Sequence, residues 1–327
     1  MAIRKRRHSQ DAIAGRAISP TNRNLTVFIE GELMELRHTA LRSGRLSSFL
    51  RQELGLSASL TNKLKWQDKL LVNGVPRRAD YAVAVGDVIS VPLEEPEPDY
   101  PAQDGPLTLL YEDDYLLAVD KPAGMLIHPS RSRNTDTLAN FVLGYYQKTG
   151  QHSAFHPLTR LDRDTYGVVL LAKNAHIHAL CNDLHTQGLL KKTYHALTFG
   201  CPETDSGRID APIARRPLPS LLRYVAPEGK PSVTEFSVLE KGEHTAILAL
   251  RPITGRTHQL RVHCAYMGFP IVGDPQYFTE ESMAFSQKCG IKTQLLCAKT
   301  LAFPHPVIGE MLEINSRLSA SILPSGE

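Results

Sequence analysis

The sequence predicts an α+β protein: a mixed, largely antiparallel sheet with flanking helices, preceded by a small α/β module. Three observations carry this. Between residues 106 and 320, apolar runs of strand length outnumber helical ones, and short turns join several of them. Between residues 25 and 92, helical spacing gives way to short strand patterns. The tract Pro92-Leu-Glu-Glu-Pro-Glu-Pro-Asp-Tyr-Pro101 separates the two, stiffened by its prolines and kept solvated by its acids. The chain is therefore divided into a basic tail (1–24), a compact module (25–92), an acidic proline-rich linker (93–105) and a large domain (106–327). The tail is polar, lacks hydrophobic periodicity and is expected to be disordered until a partner binds.

The elements follow in order. Leu46, Phe49, Leu50 and Leu54 recur at helical spacing in Arg45–Leu54, and residues 57 to 65 read as a second short helix. Leu70 to Val75 is a strand running into an Asn73-Gly74 turn. Val83 and Val85 alternate with alanines up to a turn at Gly86-Asp87, and Val88, Ile89 and Val91 form a last strand. In the large domain, Leu107–Tyr111 and Leu116–Asp120 read as paired strands around Asp113-Asp114. Val168 to Ala172 is a buried central strand. Asn174 caps a helix that presents Ile177, Leu180, Cys181 and Leu184 on one face and ends at Gly188. Thr193–Phe199 and His244–Leu250 are further strands, and no solenoid-like repeat is present.

The composition is that of an ordinary globular protein, with 42% hydrophobic and 22% charged residues in 327. No apolar run approaches the ~20 residues that cross a bilayer. The basic N-terminus is followed by no apolar stretch, so a secretory signal is not expected. The five cysteines are scattered, without a C-x-x-C pair, and read as reduced thiols. A cytoplasmic monomer away from membranes is the expectation. The net charge is only +3, yet Arg4, Lys5, Arg6, Arg7, Arg16 and Arg23 face only Asp11 in the first 25 residues. Basic residues again prevail from Arg37 to Arg78. A basic front half suits a polyanionic partner, although a solvated charged surface would look the same.

Three segments carry candidate chemistry. Thr159-Arg160-Leu161-Asp162-Arg163-Asp164-Thr165-Tyr166-Gly167 is a polar turn feeding the buried strand, which puts its side chains at a sheet rim. Taken alone, it reads as well as a surface turn with local ion pairs. In Arg251-Pro-Ile-Thr-Gly255-Arg256-Thr257-His258-Gln259-Leu260-Arg261-Val262-His263, Thr257 reads as the N-cap of a helix that buries Leu260, Cys264 and Met267 and closes at Gly268. Arg261 lies one position round from the buried stripe, so it can point sideways into a cleft. His258 and His263 stand roughly 140° apart on a helix, whereas a zinc pair on one helix wants i, i+4, so no metal is expected. Lys191-Lys192-Thr193-Tyr194 opens a strand, and Tyr194 reads either as core or as a base-stacking ring.

Together these segments resemble the RluA-type pseudouridine synthase family, whose signature turn reads H-R-L-D-x-x-T-S-G. The later signature G-R-T-H-Q-[LI]-R-V-H is matched without change by Gly255 to His263. Val119-Asp120-Lys121-Pro122-Ala-Gly124, His128-Pro129, Gly268 to Pro275 and Phe303-Pro-His305-Pro306 also fit, so the resemblance spans residues 106 to about 316. Residues 38–92 are similar to the small αL RNA-binding module of a ribosomal small-subunit protein. The chain departs from the family at Thr159, where a histidine is usual, and at Tyr166, where a small residue is usual.

The resemblance implies an enzyme that isomerises uridine to pseudouridine in structured RNA without a cofactor, ribosomal RNA being the first expectation and transfer RNA the second. It implies Asp162 as the catalytic aspartate, acting as a nucleophile or by taking a proton from the sugar. Arg261 is implied as its charge partner, expected to hold the Asp162 pKa down. Tyr194 is implied as the active-site tyrosine and Leu260 as the apolar floor. Arg160 would fill the gap left by a flipped base, and Arg256 and His258 would bind substrate. In the module, Arg42, Arg45, Arg51, Lys63 and Lys65 are the expected RNA contacts. The competing readings are a catalytically silent RNA-binding protein on the same fold and an RNA glycosidase, which would want a second carboxylate nearby.

Overall fold

The computed structural model describes residues 16–17, 25–30, 33–56, 58–93, 98–130, 133–151, 153–217, 220 and 222–319. The chain divides into two compact units, Met1–Glu95 with His305–Glu310, and Pro96–Pro304 with Met311–Glu327.

The first unit holds β1 (Arg16–Ala17), β2 (Leu25–Glu30), β3 (Leu33–Thr39), β4 (Gly44–Arg45), α1 (Leu46–Gln52), α2 (Ala58–Trp66), β5 (Leu71–Val72), β6 (Val75–Pro76), β7 (Ala82–Val83) and β8 (Val88–Pro92). Six strands pair antiparallel in the order β1-β2-β3-β8-β5-β6, and β4 pairs with β7. The unit buries Leu36, Leu46, Phe49, Leu50, Leu54, Leu64, Val72, Ile89 and Val91. Asn73 and Gly74 both adopt positive φ, 52° and 76°, as the two-residue hairpin between β5 and β6 requires. One expectation is corrected. The strand ending at Val85 stops at Val83, and Val85 is exposed. Within the basic tail, Arg16 and Ala17 pair with Val27 and Thr26. The rest of residues 1–24, and 94–97 of the expected linker, lie outside the described residues.

The second unit holds β9 (Leu109–Glu112), β10 (Leu116–Lys121), α3 (Leu138–Lys148), β11 (His156–Pro157), β12 (Tyr166–Ala172), α4 (Ala175–Thr186), β13 (Lys191–Phe199), β14 (Ser206–Asp210), β15 (Ile213–Arg215), β16 (Arg223–Val225), β17 (Val233–Lys241), β18 (Thr245–Pro252), α5 (Gln259–Tyr266), α6 (Glu280–Lys288), β19 (Leu296–Pro304) and β20 (Met311–Asn315). The mixed, mostly antiparallel sheet of the α+β class is present. Its strand order is β14-β17-β18-β13-β19-β12-β10-β9, with β11 beside β12 and β20 beside β19. Only β12 and β19 run parallel, and they share just two residue pairs, Tyr166 with Cys297 and Gly167 with Ala298. Two antiparallel blocks therefore meet at a short seam.

Each block has its own core. One packs α3 (Leu138, Phe141, Val142, Tyr146) on Leu117, Val119, Val169 and Leu171. The other packs α5 (Leu260, Cys264) on Ala196, Leu248, Leu250 and Leu296. Tyr194 touches both cores, at a bulge where β13 shifts register against β19. Gly167 makes the seam possible. Its φ is +109°, and a Cβ there would lie 2.4 Å from the Ala298 carbonyl oxygen. No helix among the described residues is long and apolar enough to cross a membrane.

Candidate active site

The turn before β12 is held by groups distant in sequence. Lys121, buried at the end of β10, donates from Nζ to the carbonyls of Arg163 (2.8 Å), Met125 (2.9 Å) and Pro122 (2.9 Å). Burial lowers its pKa to about 8, opposed by the charges of Asp164 and Asp162. Gln294 donates to the Thr165 hydroxyl at 3.2 Å, and Thr159 Oγ1 accepts from the Leu170 amide at 3.1 Å. Asp164 accepts two hydrogen bonds from Arg163, at 3.1 and 2.9 Å, so its charge is spent locally. Asp162 alone of the turn's two carboxylates lines a cleft of about 850 Å3.

Arg261 enters the cleft from α5. Its guanidinium is anchored first on the buried Asp274 carboxylate, by Nε to Oδ2 at 2.6 Å and Nη2 to Oδ1 at 2.7 Å. Nη2 also donates to Gln276 Oε1 at 3.0 Å, and the Tyr277 ring lies 5.0 Å from the guanidinium carbon. What remains, Nη1, donates to Asp162 Oδ2 at 3.2 Å. Burial works against the Arg261 charge, but the hydrogen bonds and charge of Asp274, with Asp162, outweigh it and raise its pKa. Asp274 is itself fixed by the amides of Gln276 (2.9 Å) and Tyr277 (3.1 Å).

Tyr194 lines the cleft beside Leu260, Leu161 and Leu296. Burial, and then the Asp162 charge, raise its pKa, so it is a neutral phenol at neutral pH. Arg160 and Arg256 stand exposed at the cleft wall, and Arg256 Nε donates to the Pro231 carbonyl at 3.1 Å. With Lys191, Lys192 and Arg251 they make the lining cationic around one carboxylate. His258 also faces the cleft, whereas His263 is buried between Thr234 Oγ1 and the Ala211 carbonyl, both 2.9 Å away. Asp162, Tyr194, Arg261, Leu260, Arg160, Arg256 and His258 thus converge on one cleft.

Two local expectations for α5 are corrected. Thr257 is not its N-cap; His258 is, in a left-handed conformation and without a side-chain cap bond, while the Gln259 side chain folds back to accept from the Arg256 amide at 3.0 Å. Met267 is exposed, because the helix ends at Tyr266 and Gly268 turns the chain away. In the first unit, Arg45, Arg51, Lys63 and Lys65 are exposed. Arg42 is exposed as well and bonds Glu53 at 3.0 Å, lying 4.6 Å over Phe49.

A family model described as RNA pseudouridylate synthase matches residues 115–266. An uncharacterized RNA pseudouridine synthase of Bacillus subtilis, YjbO, is 35% identical over 81% of this chain and 93% of its own length. The chain belongs to the RNA pseudouridine synthase family. Ribosomal large subunit pseudouridine synthase C of Vibrio cholerae is 31% identical over 85% of this chain and 90% of its own. The solved structure of human RNA pseudouridylate synthase domain containing 1 superposes with a TM-score of 0.55 at 26% identity, covering 69% of this chain and 88% of that one. The family match spans Asp162, Tyr194 and Arg261 but stops short of Asp274, Gln276 and Tyr277, which the sequence reading did not assign. Neither departure from the family pattern lines the cleft. Tyr166 is buried and donates to the Ser319 carbonyl at 3.1 Å, while Thr159 braces β12.

Proposed function

We propose that this pseudouridine synthase isomerises specific uridines in structured RNA, flipping the base into the cleft and using Asp162 as the reacting group. The observation that carries this is the cleft's charge pattern: a single carboxylate held by an anchored arginine, with Arg160, Lys191, Lys192, Arg251 and Arg256 around it. Such a lining suits a polyanion whose reacting sugar must meet one carboxylate. A glycosidase would want a second carboxylate at ~5–10 Å, and Asp164 neither lines the cleft nor is free of Arg163. Ribosomal RNA is the first substrate class, because relatives in Vibrio bear ribosomal large subunit names. The protein is read as a cytoplasmic monomer that needs no cofactor.

In the reaction, Arg261 orients Asp162 through Oδ2 and leaves Oδ1 for the substrate. That oxygen either attacks C1′ or takes the C2′ proton as the C1′–N1 bond breaks, and the electron pair leaves on the uracil. The ring turns, C5 bonds to C1′ as the Asp162–C1′ bond breaks or as C2′ regains its proton from Asp162, and the C5 proton is lost while N1 gains one. Tyr194, a neutral phenol, stacks on the base and holds its hydroxyl toward Asp162. Arg160 occupies the space that the extruded base leaves, which offsets an unstacking cost of a few kcal/mol. The N-terminal unit supplies affinity through Arg42, Arg45, Arg51, Lys63 and Lys65.

RNA with 5-fluorouridine at the target position tests this reading. Fluorine cannot leave C5 as a cation, so the last step is blocked after rearrangement. Wild type should release this RNA much more slowly than uridine RNA, and Asp162→Ala should release both at one rate. Equal release by wild type would contradict isomerisation and favour a silent RNA-binding protein.

A further inference from the structure

His258 is held in an unusual way for a residue with a side chain. It adopts φ 58° and ψ 18° at the cap of α5, without making a side-chain cap bond. That conformation aims the imidazole away from the helix and into the cleft. Its Nδ1 lies 2.9 Å from the Tyr277 hydroxyl. The same hydroxyl oxygen accepts from the Arg223 amide at 2.9 Å. With that amide filling an acceptor site of the oxygen, the Tyr277 hydrogen is available to Nδ1, and the tautomer in which Nδ1 accepts it carries the ring proton on Nε2. Nε2 stands 3.9 Å from Asp162 Oδ2, beyond a hydrogen bond, and has no protein acceptor within bonding distance among the described residues. The cleft therefore holds one neutral N–H donor beside the reacting carboxylate with nothing to donate to.

The chemistry supplies an acceptor. When C1′–N1 breaks, the pair left on N1 spreads onto O2 and O4 of the uracil. Pseudouridine differs from uridine by a half-turn of the ring about the line through N3 and C6. That turn carries C5 to the place of N1 and O4 to the place of O2. A fixed donor that meets one carbonyl before the turn meets the other after it.

We propose that the Nε2–H of His258 donates a hydrogen bond to the uracil carbonyl facing it, holding the ring's negative charge as the glycosidic bond breaks and again as C5 rejoins C1′. This rests on the isomerase reading of the cleft. The proton stays on Nε2 throughout; the donor moves no proton and forms no bond to carbon. A neutral ring suits this task, since an imidazolium would close onto Asp162. The groups facing His258 are Asp162 from the turn, Arg261 from α5, Asp274 and Tyr277 from the loop beyond it, and Arg223 from β16. Burial is the largest influence and lowers the His258 pKa; Arg261 and Arg223 act in the same sense, and Asp162 and Asp274 oppose them. The ring is neutral at neutral pH and takes up a proton only in acid.

Sulfur is a weak acceptor, so RNAs carrying 2-thiouridine or 4-thiouridine at the target position read out the bond. Single-turnover rates are measured for these and for uridine RNA, on wild type, His258→Ala and Tyr277→Phe. On uridine RNA, His258→Ala should lower the rate by about 100-fold with RNA affinity unchanged, as loss of a donor to developing charge does. On the thio RNA whose sulfur faces His258 in the rate-limiting step the same change should cost less than about 5-fold, because the bond is already missing there, whereas the other thio RNA should behave like uridine RNA. Tyr277→Phe keeps the imidazole but frees its tautomer, and should give the same pattern more weakly. If the His258 loss is equal on all three RNAs, or appears in affinity, the donor role is wrong and His258 only shapes the turn. Should His258→Ala fail to fold, Tyr277→Phe alone decides in the same way. Asp162→Asn on uridine RNA checks the underlying reading separately. Turnover by that variant overturns the isomerase site, whereas an inactive Asp162→Asn with no thio dependence overturns His258 alone.

Discussion

Arg261 divides its guanidinium between Asp274 and Asp162, and the shorter contacts are those to Asp274. The arginine is thus oriented from behind and presents a prepared donor to Asp162. Asp274→Asn should leave Arg261 buried without its full counter-charge, costing roughly 3 kcal/mol of stability. Turnover should fall further than RNA affinity, since Asp274 does not line the cleft. Unfolding and single-turnover measurements on one preparation check both, and unchanged kinetics would remove Asp274 from the account. Asp162, Tyr194 and Arg261 were legible because they sit in continuous motifs. Asp274 and Lys121 also lie in segments that fit the family pattern, with Tyr277 just beyond one, but a local pattern does not say which distant group a side chain will meet. His176, on α4, was not legible at all. It is buried, its Nε2 has no partner among the described residues, and burial lowers its pKa to about 4. Its folded pKa lies below the unfolded value of about 6.5, so the unfolded chain binds the proton first as pH falls. The associated stability is whole above pH 6.5 and is lost as pH falls toward 4, at up to roughly 1.4 kcal/mol per unit. His176→Phe should flatten the stability curve between pH 6.5 and 4 by about one proton; an unchanged slope would show that His176 is protonated in the fold.

Among the elements, the seam of β12 and β19 matters most to the site, because the turn bearing Asp162 ends where it begins. Gly167→Ala should cost at least ~1–2 kcal/mol for the backbone conformation alone, and more for the clash with Ala298. Both Tm and turnover should drop. A variant with wild-type stability and activity would show that the seam yields easily. The strands β10, β12, β13 and β18 could be read from apolar runs, and α4 from its cap and periodicity. The seam could not, because parallel pairing over two residues leaves no periodic trace. The start of α5 was misread since Thr257 is a good capping residue in isolation. The Gln259 side chain instead ties the start of the helix to Arg256 and Thr254 before it and to Val233 and Thr234 across the fold.

For the whole molecule, the proposal assigns affinity to the basic N-terminal unit and chemistry to the second unit. Lys63 and Lys65 are exposed on α2, and Trp66, the single tryptophan of the chain, is 89% exposed beside them. If both lysines meet phosphates, Lys63→Gln with Lys65→Gln should lower the slope of log K against log salt by roughly 1.5 to 2, with turnover at saturating RNA retained. The emission of Trp66 should change on RNA binding, with no other indole to obscure it. An unchanged slope together with unchanged emission would remove α2 from the RNA contact.

In the proposed division of labour, Asp162 performs chemistry while many cations provide binding. Tritium release from RNA labelled at C5 of uridine, measured beside RNA affinity for wild type and Asp162→Asn, tests it most directly. Release should be abolished in the variant while affinity stays within a few-fold of wild type. Release at or near the wild-type rate by Asp162→Asn would contradict it.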